Sequence, residues 1–420
     1  MRRFWIFNHY ATTPKTGPLL RHYYFAEYLK EKNIETTVFA ANELHQTGDT
    51  VDTHGKPYLR TEEEGVPFVF VKTSKYQGNG ISRVKNMLSF FFGLLHISKG
   101  YAEKYGRPDV IMGSSAHPLT SIAGILVAGR FHVPAIVEVR DLWPEAIFSF
   151  GKVKMNSIPG RILSAGEKWM YVHADAIVFT KEGDVDHIKE MGWDTAHGGK
   201  IDLRKCHYVN NGVKLSDYYQ SMEKDTLDDP DLTDDSFRVI YTGTIRPVNN
   251  VDNLLDTAKL LKKYKDIRFL IFGGGSELPR LQKRAEEEKI ENVVFKGFVE
   301  KKYIPYILSR SSVNILNYSQ SRYNWSRGNS SNKLFEYMAS GKPIISTVKM
   351  GYCILEKYRC GLSLEECTPK ALAEMILKIH DMPKDTYAQM AENAQEGAKD
   401  FDFSVLTERL YKVIKRVRKD

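Results

Sequence analysis

Asn332-Lys333-Leu334-Phe335-Glu336-Tyr337-Met338-Ala339-Ser340-Gly341-Lys342-Pro343, followed by Ile344-Ile345-Ser346-Thr347, reads as a helix that stops at Gly341 and Pro343 and runs at once into a buried strand. Leu334, Phe335 and Met338 give the helix an apolar face, yet its first turn carries Lys333 and its middle carries Glu336. A helix N-terminus and a lysine both favour anionic oxygens, and a carboxylate accepts hydrogen bonds from two hydroxyls of one ribose. The pattern predicts a nucleotide-sugar site.

Outward from this stretch, short apolar runs alternate with helical patterns along the chain, the signature of βαβ units and parallel sheets. Strands are expected near Phe4-Phe7, Thr36-Phe39, Val66-Val71, Val110-Met112, Ala135-Val139, Ala176-Phe179 and His207-Val209. A second set falls near Arg238-Tyr241, Phe269-Phe272, Val293-Phe295, Val313-Leu316 and Ile344-Ser346. The fold class is α/β, with two doubly wound Rossmann-like domains and a ligand crevice at the carboxyl ends of the strands. The first domain is placed at 1–216 and the second at 237–402, with a final helix at 403–420 returning to the first. The acidic, Pro-containing segment 217–236 reads as a surface linker.

At 420 residues, 42% hydrophobic and 27% charged, the chain fits a soluble multidomain enzyme. The four cysteines form no C-x-x-C pair and have no matching histidine spacing, so neither zinc nor a disulfide framework is indicated, and a reducing cytoplasm is expected. Four apolar residues after Arg3 are too few for a signal peptide. The net charge of +8 is spread along the chain, without a nucleic-acid module, and points to phosphorylated ligands or an anionic membrane surface.

Several loops at strand ends carry polar groups suited to binding. Asn8 to Pro18 follows the first strand and holds His9 and Gly17; Gly113-Ser114-Ser115-Ala116-His117 follows the fourth. Glu138-Val139-Arg140-Asp141-Leu142-Trp143-Pro144-Glu145 places four charged residues at the end of an apolar strand, costly to bury without partners. It reads as an acceptor pocket built from Arg140, Asp141 and Glu145, or as an ion pair of Arg140 with Asp141 or Glu138. Tyr241-Thr242-Gly243-Thr244-Ile245-Arg246 joins a glycine turn to a cation, a site for a diphosphate whose charge grows as the bond to it breaks. Between Tyr318 and Asn332 a loop offers Arg322, Tyr323, Trp325, Arg327 and Gly328. The helix from Ile81 to Tyr101, with Phe90-Phe91-Phe92 between Arg83, Lys85 and Lys99, either lies on an anionic membrane or belongs to the core.

Val139-Arg140-Asp141-Leu142-Trp143-Pro144-Glu145 together with Asn332-Lys333-Leu334-Phe335-Glu336-Tyr337-Met338 resembles the retaining glycosyltransferases of family 4, which have the GT-B fold. More narrowly, these motifs resemble bacterial enzymes of O-antigen and capsule synthesis, including N-acetylfucosamine-type transferases. The resemblance implies transfer of a sugar from a UDP-sugar to a polyprenyl-pyrophosphate-linked saccharide, at the inner face of the plasma membrane, with no cofactor and no essential metal. It puts Gly17 under the donor phosphates, Phe298 and Val299 beside uracil, and Ser331, Asn332, Lys333, Leu334 and Glu336 around the nucleotide, with Gly243, Arg246 and Arg327 also on the donor. His117, Arg140, Asp141 and Glu145 fall to the acceptor, and Asp141, Arg246 and Lys333 to catalysis. Two features depart from the family: Gly328 stands where a glutamate is frequent, and Asn249 where a lysine is frequent. A GT-B-shaped UDP-N-acetylhexosamine 2-epimerase and a non-catalytic assembly scaffold are the rival readings.

Overall fold

The computed structural model describes residues 2–45, 48–78, 80–115, 117–149, 153–320 and 324–418. The chain divides into two compact units, one running to Asn210 and taking back the chain from Phe403, the other Asn211–Asp402.

The first unit is built on an eight-stranded sheet. Its strands are β1 (Arg2–Phe7), β2 (Ile34–Ala41), β3 (Tyr58–Glu63), β4 (Val66–Val71), β5 (Val110–Ser114), β6 (Ala135–Val139), β7 (Ala176–Phe179) and β8 (Cys206–Tyr208). They lie in the order β3-β4-β2-β1-β5-β6-β7-β8, parallel except for the antiparallel edge strand β3. In β1, Phe4 and Ile6 enter one core while Trp5 and Phe7 enter the opposite one, the two-residue period of a strand buried on both faces. The helix Arg21–Glu31 and the last helix, Phe403–Arg418, cover the first of these faces. The helices Ile81–Tyr105 and Pro118–Phe131 cover the other.

The second unit repeats the plan with β9 (Phe237–Thr242), β10 (Ile267–Phe272), β11 (Val293–Gly297), β12 (Val313–Leu316), β13 (Ile344–Ser346) and β14 (Gly361–Ser363), in the order β11-β10-β9-β12-β13-β14. Val239 and Tyr241 of β9 face one core, and Ile240 the other. β12 and β13 pair in parallel from Asn314↔Ile344 to Leu316↔Ser346, which sets the helix Asn332–Ala339 against the sheet as their crossover.

Three expectations change. The segment 217–236 is folded and is no linker: the helix Leu215–Lys224 and the 3-10 turn Pro230–Leu232 bury Tyr218 and Leu232 in a core of the second unit. Its acids are occupied on the surface, Asp229 and Asp231 both holding Lys296 at 2.7 and 2.6 Å. Strand β3 escapes the apolar-run criterion because its Arg60, Glu62 and Glu63 are edge residues, and β14 because it has three residues beginning with glycine. Of the Phe90–Phe92 run, Phe90 is buried, Phe91 is half-buried and Phe92 is exposed, as helical geometry requires of consecutive residues.

Glu138, at the end of β6, is fully buried and ties the carboxyl edge of the first sheet together. Its carboxylate accepts from Arg21 Nε at 2.9 Å, contacts His22 Nε2 at 2.8 Å and accepts from the Ser114 hydroxyl. Burial alone would raise its pKa, but Arg21 and His22 hold it well below the usual carboxylate range. Arg21 also donates to the carbonyls of Val209 and Asn210, so one ion pair joins a helix, two strands and the chain beyond β8. Glu138→Ala, leaving the buried Arg21 without this carboxylate, is expected to destabilise the first unit by ~3–5 kcal/mol in urea unfolding. A loss below ~1 kcal/mol would mean that the pair contributes little.

Candidate active site

In the second unit, Lys333 enters from the first turn of the helix Asn332–Ala339, whose Ser331 N-cap makes no side-chain capping bond. Its ammonium lies 4.7 Å from the ring centre of Tyr241 and 5.1 Å from that of Tyr318, and donates to the Tyr241 hydroxyl at 3.3 Å. Burial pushes its pKa down to about 8, with Glu336 one turn away opposing the fall. Gly243, at the exit of β9, is what lets the lysine lie there: a Cβ at this position would come within 2.9 Å of Nζ, and its φ of +135° suits glycine.

Tyr337 fixes this turn from below. Its hydroxyl accepts from the Thr242 amide at 3.0 Å and donates to the Thr242 carbonyl at 3.2 Å, fastening the end of β9 to the helix. The next βα turn packs as closely, since a Cβ on Gly273 would overlap the Gly243 carbonyl. Glu336 is largely buried, paired with the exposed Lys301 at 3.3 Å. Phe298 is 81% exposed on the loop after β11, while Val299 packs into the core.

Arg246 is exposed and lines an open groove of about 350 Å³ with Asn250, Asp252, Glu277 and Ser319. The groove's carboxylates are already held by Arg280. Leu334 is core, whereas Asn332 is exposed at the helix start. Arg327 is buried, so the loop after β12 is not the exposed basic segment its composition suggests; Trp325 packs on Tyr318 with ring centres 4.7 Å apart, the rings tilted by 38°, and donates to Ser319 O. Arg322 and Tyr323 lie outside the described residues. Gly328 has φ +98°, a backbone in which the family's glutamate would be strained. Asn249 is buried, its backbone carbonyl accepting from Asn317, and carries no charge to replace a lysine.

In the first unit, Gly17 packs on Thr12 in the loop after β1. The ion-pair alternatives for Arg140 are not the ones formed: Glu138 turns to Arg21 and His22, and Asp141 meets Lys181 at 3.4 Å. Asp141 remains half-exposed, Arg140 and Glu145 are partly buried, and the Arg140 amide donates to the Ser115 hydroxyl.

His117 is buried rather than open, and its partner is His9. The Asn86 amide nitrogen donates to Ser74 O at 2.6 Å, which turns its oxygen towards His9 Nε2 at 2.7 Å. That oxygen only accepts, so the His9 proton resides on Nε2 and Nδ1 is a lone pair. His9 Nδ1 lies 2.7 Å from His117 Nε2, which must therefore donate. The His117 proton is then on Nε2, and its Nδ1 is a bare acceptor, buried and without a partner among the described residues. Burial, then Arg83, lowers the His117 pKa to about 3, and burial with His117 lowers that of His9.

The chain matches the family described as glycosyl transferase 4-like domain over residues 16–197 and glycosyl transferases group 1 over residues 223–397. Among solved structures it is similar over its whole length to a sucrose-phosphate synthase from Thermosynechococcus elongatus, with 15% identity, 99% of each chain covered and a TM-score of 0.71. HepE of Anabaena in complex with UDP shows 13% identity over 99% of this chain and all of that one, at TM-score 0.66. WaaG, a glycosyltransferase involved in lipopolysaccharide biosynthesis, shows 12% identity over 98% and 99%, at TM-score 0.63. No curated protein is a recognisable relative by sequence. Two Rossmann-like units and two family matches that together span most of the chain define a glycosyltransferase of the GT-B fold. The chain belongs to that family.

Tyr337, Tyr241, Tyr318 and Asn86 are the site residues missed in sequence; Tyr337 and Tyr241 stood within quoted motifs and Asn86 beside Lys85, but nothing local marked them. The hydrogen-bond chain through Asn86 predicts that nitrogen NMR of histidine-labelled protein will show His117 neutral and protonated on Nε2 from pH 5 to 8. A signal from the Nδ1-protonated tautomer, or titration near the ordinary histidine value, would break the chain.

Proposed function

We propose that this glycosyltransferase moves a sugar, an N-acetylated hexosamine or deoxyhexosamine, from a UDP-sugar to a polyprenyl-pyrophosphate-linked saccharide at the inner face of the plasma membrane, with retention at the anomeric carbon and without an essential metal. The observation that carries this reading is the Lys333 ammonium against Gly243 at the carboxyl edge of the second sheet, with Glu336 one turn along the same helix. Lys333, the amides at the start of its helix and Arg246 offset the charge that grows on the leaving diphosphate. Glu336 accepts from ribose hydroxyls, and Phe298 and Val299 flank the base. UDP as donor nucleotide is supported by the HepE complex, and a lipid-borne acceptor by the likeness to WaaG. Asp141 and the bare Nδ1 of His117 are acceptors for hydroxyl protons in the first unit. Gly17 and the loop after β1 are left to the donor phosphates, and Arg140 and Glu145 to the acceptor.

Titration calorimetry with UDP tests the donor assignment. Glu336→Gln is expected to weaken UDP binding by ~1.5–3 kcal/mol, because an amide accepts from hydroxyls less strongly than a carboxylate. Unchanged affinity would return Glu336 to its pair with Lys301.

Lys333 adds a pH signature whose sign is fixed by its lowered pKa. The cation is present below about pH 8 and is lost as pH rises through that value. UDP affinity should therefore be flat from pH 6 to 7.5 and fall above it, approaching tenfold per unit, while Lys333→Met binds weakly and shows no such decline. Equal pH profiles for the two proteins would remove Lys333 from the phosphates.

A further inference from the structure

Nine of the thirteen large apolar side chains that are exposed among the described residues fall between Ile81 and Trp169, all in the first unit. They are not scattered. On the helix Ile81–Tyr105 the exposed set is Ile81, Val84, Leu88 and Phe92, spaced by three, four and four residues, which is one stripe; Ile81 is 77% and Phe92 60% exposed. The opposite stripe, through Phe90, Leu94 and Tyr101, packs in the core. The helix Ile158–His173 repeats the arrangement with Ile158, Ile162 and Trp169, the first two 77% and 66% exposed. The helix Pro118–Phe131 packs against both and contributes an exposed Leu126.

Charge follows the same pattern. The helix Ile81–Tyr105 has Arg83, Lys85, Lys99 and Lys104, and its one acid, Glu103, stands in its last turn, at the end away from Ile81; Pro118–Phe131 has no acid. From Val153 to Ala174 it has Lys154, Arg161 and Lys168, and its one acid, Glu167, is buried against Tyr171 and His187. A solvated helix face would mix both signs evenly; apolar stripes flanked mainly by cations match a surface with an apolar interior and an anionic rim. Both striped helices lead into parallel strands, β5 and β7, so they run against the strand direction and begin at the sheet's carboxyl edge. Their most exposed residues lie at that end. There Arg83 donates to the Tyr10 hydroxyl, on the loop that carries His9.

We infer that this three-helix face is a membrane-docking surface, whose partner is an anionic bilayer interface that receives Phe92, Ile158 and Ile162 among its acyl chains and meets Lys85, Lys154 and Arg161 with its headgroups. The inference rests on the proposed lipid-linked acceptor, and names the surface that brings its headgroup to the polar edge of the first unit. None of the described helices is long and apolar enough to cross a membrane, so the contact is in the plane of the interface.

Sedimentation with phosphatidylglycerol–phosphatidylethanolamine vesicles, against pure phosphatidylcholine vesicles, measures the docking. Binding is expected only to the anionic vesicles and to weaken when ionic strength is raised to about 0.5 M. Phe92→Ser and Ile162→Ser should each reduce partition roughly tenfold, and Arg161→Glu should reduce it only at low salt. Because these side chains are exposed, thermal unfolding of the variants should match the parent protein. Trp169 supplies a second readout, since Trp5, Trp193 and Trp325 are buried and the partly buried Trp143 can be replaced by Phe: in that Trp143→Phe background the emission should shift to the blue on anionic vesicles, and adding Trp169→Phe should lose most of that shift while the protein still sediments. Absence of binding to anionic vesicles, or equal binding by the Ile162→Ser protein, overturns the inference. So does a concentration-dependent dimer that Ile162→Ser dissolves, which would assign the face to a second copy of the chain. UDP calorimetry without vesicles separates the two readings: UDP binding without vesicle binding removes the docking surface alone, and vesicle binding without UDP binding removes the donor assignment alone.

Discussion

The second unit's site depends on one ammonium held where a side chain is missing. Lys333 lies over two tyrosine rings and against the Cα of Gly243, and a methyl group there would displace it. The cation has lost much of its water, which lowers its pKa to about 8 and makes it a stronger partner for any anion that arrives. Among the described residues no carboxylate is in direct contact to neutralise it: the nearby Glu336 is turned to Lys301. A partly buried cation in this state gains when an anionic ligand completes it, which is how a binding site differs from a structural ion pair.

The first unit shows the structural counterpart. Arg21 and Glu138 are buried more deeply than Lys333, but they satisfy one another and the carbonyls around them, so the charge is spent on holding the loops. The motif around β6 thus divides in two. Glu138, pointing into the protein, is scaffold; Asp141, three residues on and half-exposed beside Lys181, keeps an accessible carboxylate. Four charges near one strand end do not share one role, because only Glu138 lies within β6, whereas Arg140 and Asp141 follow the strand and Glu145 stands on the helix Trp143–Ser149.

What could be read in the sequence was whatever is local. The parallel sheets showed as apolar runs because both faces of β1, β9 and β10 are buried, and the helix Asn332–Ala339 showed because Lys333 and Glu336 break its apolar face. The Tyr241–Tyr318–Lys333 cradle was not legible, since three residues on separate elements meet only when the strands pair. Neither was the Arg21–Glu138 pair, 117 positions apart, nor the relay from Asn86 to His117. The acids of 217–236 disguised a folded segment because they dominate its composition, whereas two side chains, Tyr218 and Leu232, anchor it. The stripe at Ile158, Ile162 and Trp169 escaped notice because it is only three residues in sixteen, and its exposure is a tertiary fact.

The polar groups at the carboxyl edges of the two sheets differ in kind. In the second unit they are the Lys333 cation and the amides at the start of its helix, groups that stabilise an anion. In the first unit His9 and His117 are kept neutral by burial, so His117 presents a lone pair and no positive charge. An imidazolium there would have no lone pair for a hydroxyl proton. The Asn86–His9–His117 chain serves this end by fixing the tautomer as well as the charge, because the amide oxygen at its start accepts and never donates. Three neutral side chains, one of them on the same helix as the exposed apolar stripe, thus determine what the carboxyl edge of the first sheet offers to a hydroxyl.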